Sequence, residues 1–94
     1  ITLCAQAGIP IELGNGLQSS AASLHELALA CSNPGVHPAG EFSGPDKLAS
    51  DILVNPMRIE DGDAVLHEAP GIGSELDYAA FQACRLDLAR LFRS

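Results

Sequence analysis

Near the start of the chain, Gly8 to Ser20 read GIPIELGNGLQSS. An apolar run ends on a carboxylate, Glu12, then passes through Gly14-Asn15-Gly16 into a segment rich in alanine and leucine. A glutamate so placed is either a solvated strand-end charge or a group lining an active site at the carboxyl end of a barrel strand. In the second case its chemistry is definite. A protonated carboxyl group donates a hydrogen bond to a negative oxygen, and burial beside other carboxylates favours that protonated state. Asn15 and Gln18 follow in the connection, where their amides serve either substrate or local turn hydrogen bonds. Ser19 and Ser20 suit helix capping, because a serine oxygen accepts the unpaired amides of a first turn. No GxSxG surrounds them, so nucleophilic chemistry is not indicated.

Other reactive side chains are dispersed. His25 falls inside a helix, His37 in a loop and His67 at a strand end, with no HxxxH pattern for zinc. Glu60-Asp61-Gly62-Asp63 has calcium-like composition but not the spacing of an EF-hand loop, and hairpin turn chemistry accounts for it. Cys4, Cys31 and Cys84 are odd in number, widely spaced and without a CxxC pair. They read as buried reduced thiols of a cytoplasmic protein.

The elements that must position these residues follow from pattern. Residues 1–7 read as a helix stopped by Gly8. Ile9 to Leu13 reads as a short buried strand, with Pro10 confined to its start for want of an amide donor. Ala21 to Cys31, AASLHELALAC, is strongly helix-forming and so apolar that it needs cover on more than one side. A parallel strand needs parallel neighbours, and no second βα unit stands out to supply them. Residues 33–50, with Pro34, Pro38, Gly40, Gly44 and Pro45, read as a connecting loop. Asp51 to Val54 reads as a strand. Residues 57–60 and 64–67 flank Asp61-Gly62 as a hairpin. Tyr78 to Phe92, with Phe81, Cys84, Leu88 and Leu91 three or four apart, reads as an amphipathic helix.

Length and charge bound the function. The chain has 94 residues, 47% of them hydrophobic and only 4% aromatic, which suits one small domain with an aliphatic core. Its net charge of −7 argues against nucleic acid or an anionic membrane as partner. No apolar run reaches the roughly 20 residues of a membrane-spanning helix, and no signal peptide is visible. The opening residue is Ile1, not methionine, as in a processed or truncated product.

Two stretches carry a resemblance. AGIPIELGNGLQSSAASLHELALAC and DILVNPMRIEDGDAVLHEAPGIGSELD together resemble the C-terminal end of the mandelate racemase/muconate cycloisomerase branch of the enolase superfamily. The first is similar to the last barrel strand and the helix after it. The second is similar to the return of the chain to the capping domain, with the acidic-Gly hairpin Asp61-Gly62, then Pro70-Gly71-Ile72-Gly73, then Glu75 or Asp77. The resemblance covers nearly the whole chain. It implies an α/β fold: residues 1–32 as the end of a TIM-like (β/α) barrel, 33–50 as the connection, and 51–94 as the hairpin and helix returning to an α+β capping domain.

The activity the resemblance implies is Mg²⁺-assisted removal of a proton α to a carboxylate, as in racemases, epimerases, cycloisomerases and dehydratases. The metal ligands and catalytic lysines belong to earlier strands, outside this chain, so an isolated fragment is expected to be inactive. Glu12 is the catalytic candidate, hydrogen-bonding the substrate carboxylate or the enolate, and Asn15 and Gln18 are the substrate-binding candidates. The implied partners are a small carboxylate substrate, the remaining barrel segments and further copies of the same chain in a homo-oligomer. The alternative from another class is a small acidic interaction or structural module without catalysis.

Overall fold

The computed structural model describes residues 1–14 and 16–86. Helix α1, Thr2–Gln6, is closed by two reversed hydrogen bonds, from Gly8 N to Ala5 O at 3.1 Å and from Ile9 N to Cys4 O at 2.8 Å. This paired bonding satisfies two carbonyls that would otherwise end the helix unpaired. The chain then runs extended through Ile9 to Leu13. Its partner comes from the stretch expected to be only a connection. Ile11 forms a parallel bridge with Val36, His37 N donates to Ile11 O at 2.7 Å, and Glu41 N donates to Leu13 O at 3.0 Å. The strand expected at Ile9–Leu13 is thus one bridge and not a ladder, and the loop supplies the parallel neighbour.

The reason is local. Pro38 has no amide to donate, so residues 38–40 bulge out before Glu41 rejoins. At Gly40 a Cβ would sit 3.1 Å from Leu13 O and 3.0 Å from the Phe42 ring, so a residue without one suits the close approach.

Helix α2, Ser20–Ser32, follows. Its capping differs from expectation: Ser19 occupies the N-cap position but makes no side-chain cap bond. The cap comes from 31 residues downstream, where Asp51 Oδ2 accepts the Ser20 amide at 2.8 Å. Asp51 Oδ1 accepts the amides of Ile52 at 2.8 Å and Leu53 at 3.1 Å. Ser20 is fully buried, and its hydroxyl oxygen accepts the Met57 amide at 2.9 Å.

Leu53 pairs antiparallel with Leu76 in a single bridge, reinforced by Val54 N to Glu75 O and Asp77 N to Ile52 O. Strands β1, Arg58–Glu60, and β2, Asp63–Val65, form the expected hairpin in antiparallel register, with Glu60 opposite Asp63. Asp61 and Gly62 have φ of 51° and 89°, the left-handed pair of a two-residue hairpin turn.

At Gly73, φ is 77° and a Cβ would collide with His67, so the Pro-Gly-Ile-Gly loop closes against that histidine. Asp77 caps helix α3, Tyr78–Cys84, by accepting the Ala80 amide at 3.0 Å. The helix ends at Cys84 with Arg85 extended, short of the expected Phe92; Leu88 and Leu91 lie outside the described residues.

The core is small. Leu24, Leu27, Leu53 and Met57 are buried together, with Phe42, Leu66 and Ile72 packed against them. One stripe of α2 therefore meets residues 51–57 and the hairpin, while Leu29 on another face is 45% exposed. The cysteines are free, as expected, but Cys31 and Cys84 are exposed and not buried, because α3 and the end of α2 have no covering layer among the described residues.

Candidate active site

Side chains alternate faces along an extended chain. Leu13 faces an open cleft of about 800 Å³ that Leu27, Cys31, Phe42 and Ile59 also line. Phe42 packs on the core beneath α2. Their predecessors, Glu12 and Glu41, are exposed and belong to the opposite face, away from α2. The hydrogen bond from Glu41 N to Leu13 O sets these two residues at the carboxyl ends of adjacent parallel segments. Ser43 Oγ lies 3.4 Å from Glu41 Oε1 and donates to it.

The sequence reading singled out Glu12 and missed Glu41. Proline and glycine on both sides made its surroundings look like a loop. The usable signal was His37-Pro38: a residue before proline is pushed to extended backbone, and that extended step lies beside Val36, which pairs with Ile11.

The other candidates have definite positions. Gln18 is half-buried, and its Nε2 donates to Glu26 Oε2 of α2 at 2.9 Å. Asn15 lies outside the described residues. His25 Nδ1 is 2.7 Å from Ala21 O, one turn back, which satisfies the ring within the helix. His67 Nε2 is 3.1 Å from Pro56 O. The Ala39 amide donates to His37 Nδ1 at 3.1 Å. Among the described residues no group of three or more His, Cys, Asp or Glu side chains could hold a metal ion.

Among the described residues, Asp51 is the one group whose ionisation is clearly displaced. Partial burial works to raise its pKa, but hydrogen bonds from the Ser20 side chain and backbone and from the Leu53 and Ile52 amides outweigh it. The net shift is below the ordinary 3.8.

Comparison with known proteins places this geometry. Residues 1–80 match the family model described as enolase C-terminal domain-like. Over 80 residues the chain is 29% identical to muconate cycloisomerase 1 of Rhodococcus opacus, covering 85% of this chain and 21% of that protein. The crystal structure of a muconate lactonizing enzyme from Klebsiella pneumoniae superposes with a TM-score of 0.84 at 27% identity, over 92% of this chain and 24% of that one. The chain thus spans about a fifth to a quarter of the length of these relatives. Its fold is α/β and corresponds to the C-terminal part of a TIM-like barrel with the hairpin and helix that follow. The chain belongs to the enolase superfamily, in the mandelate racemase/muconate cycloisomerase branch, as its C-terminal part.

Proposed function

We propose that these residues furnish two strand ends of an enzyme that removes a proton α to the carboxylate of a small substrate or, in the reverse direction, returns it to the enolate, as ring closure of muconate, the first compound to test, requires. The observation that carries the reading is the hydrogen bond from Glu41 N to Leu13 O beside the parallel Ile11–Val36 bridge, which brings the strand ends bearing Glu12 and Glu41 together, both exposed. In a (β/α) barrel that end is where substrates react. The product class is that of an isomerase or lyase.

Removing an α proton leaves negative charge on the substrate carboxylate, and hydrogen-bond donors aimed at that oxygen lower the barrier. Glu12 is assigned to that contact. Glu41 brings a second carboxyl group to the same face, able to orient the substrate or to hold a proton for it. Gln18, anchored on Glu26, is assigned to substrate binding from the connection, and Asn15 keeps the same assignment. The Mg²⁺ that family membership implies does not fit the described residues of this chain. Its ligands are assigned to other strands of the complete enzyme, and no step is routed through it here. The domain division at 32 and 50, and assembly as a homo-oligomer, belong to the same reading.

The test is steady-state turnover of muconate by the complete enzyme. Glu12→Ala and Glu41→Ala should each lower kcat, by about a hundredfold where a transition-state hydrogen bond is lost. Wild-type kcat in both variants overturns the assignment. An interaction module would also expose apolar side chains such as Leu3, Ile9 and Leu17, 81%, 57% and 72% exposed, so loss of turnover in Glu12→Ala and Glu41→Ala is what separates the two readings.

A further inference from the structure

Glu12 and Glu41 sit on two connections joined at both of their ends. At the strand side the joint is the Ile11–Val36 bridge with the Glu41 N to Leu13 O bond. From there the Glu12 connection runs to Ser20 and the Glu41 connection runs to Asp51. Those two residues meet again, Ser20 N donating to Asp51 Oδ2 at 2.8 Å. The two oxygens divide their work. Oδ1 takes the local amides of Ile52 and Leu53, while Oδ2 reaches across to α2. The buried Ser20 hydroxyl continues the tie to the Met57 amide.

We propose that Asp51 is a positioning residue for the reaction: its Oδ2 closes the ring of backbone that sets Glu12 and Glu41 relative to each other. A connection pinned at one end only would let the carboxylates drift, and a displacement of about 1 Å can cost up to a hundredfold in rate. Asp51 itself need not touch the substrate. The functional half of this claim rests on the assignment of Glu12 and Glu41 above; the structural half does not.

The variant that isolates the cross-link is Asp51→Asn. Its carbonyl oxygen keeps the Ile52 and Leu53 bonds, while its NH₂ replaces the acceptor facing the Ser20 amide. In the complete enzyme, amide hydrogen exchange should quicken about tenfold in peptides spanning 12–20 and 38–42, remote in sequence from the substitution. With muconate, kcat per folded molecule should fall about tenfold while KM stays within about threefold, because binding groups remain but their alignment is lost. Exchange that quickens only around 51–57, or kcat unchanged, overturns the proposal. Should Asp51→Asn not fold, Ser20→Pro removes the amide that Oδ2 accepts, at the first helical position and after an extended residue where proline is tolerated, and should give the same pattern; an unchanged pattern is then the overturning result. Glu12→Ala and Glu41→Ala in parallel separate the two claims. If both leave turnover intact, the carboxylate assignment has failed, and the exchange data alone still decide whether Asp51 holds the two connections together.

Discussion

At Glu12 the difference between a donor and a proton carrier can be resolved by two substitutions. Glutamine still donates a hydrogen bond but cannot pass a proton, whereas alanine does neither. If Glu12 only binds the developing charge, Glu12→Gln keeps kcat within about tenfold of wild type while Glu12→Ala loses about a hundredfold. Equal losses assign it proton transfer. Asp51 makes a prediction of a different kind. Its folded pKa lies below the ordinary 3.8, so its stabilisation is fully present above that value and is lost as pH falls through the folded pKa. Urea midpoints of the complete enzyme, taken from about pH 5 down to pH 2.5, should fall more steeply for wild type than for Asp51→Asn, which has no charge to lose. Parallel acid limbs would show that the lowered pKa has no energetic weight.

At the scale of elements, the hairpin, the loop after it and α2 hold the carboxylate-bearing segments from behind. Asp61-Gly62 was legible because only residues tolerant of positive φ fit a two-residue turn. The Pro-Gly-Ile-Gly loop was legible as a tight loop, but its cause was not, since nothing near Gly73 in sequence announces that His67 fills the space a Cβ would take. Gly73→Ala must relieve both that collision and a φ of 77°, and should destabilise by about 2 kcal/mol or more, read as a lowered urea midpoint. Leu24 is fully buried at the centre of the contact between α2 and residues 51–57. Leu24→Ala should cost about 2–5 kcal/mol by the same measurement. A loss below about 1 kcal/mol would mean that α2 is held elsewhere.

Across the whole molecule the described surface is more open than a self-sufficient fold of this length. A compact chain of about 100 residues has a radius of gyration near 13 Å, and here it is 16.0 Å with extents of 52 × 32 × 23 Å. Among the described residues only five hydrophobic side chains are buried, while Leu3, Leu17, Tyr78 and Leu86 are each more than 60% exposed. The 94-residue chain produced alone should therefore bind a hydrophobic dye, self-associate on size exclusion and turn over no muconate. A monodisperse monomer with a sharp unfolding transition would contradict that.

The amino-acid sequence by itself determined the local structure: the α1 stop at Gly8, the body of α2, the hairpin turn and a glutamate at the end of an apolar run. Each of these depends on backbone preference or on periodicity within a few residues. Three features were decided only in three dimensions. Val36 and Glu41 pair with Ile11 and Leu13 across 25 to 28 residues, Asp51 caps a helix 31 residues before it, and His67 excludes a side chain at Gly73. Each joins groups far apart in sequence, where neither partner's local preference specifies the other. The second strand-end carboxylate therefore emerged only when the parallel pairing brought Glu41 beside Glu12.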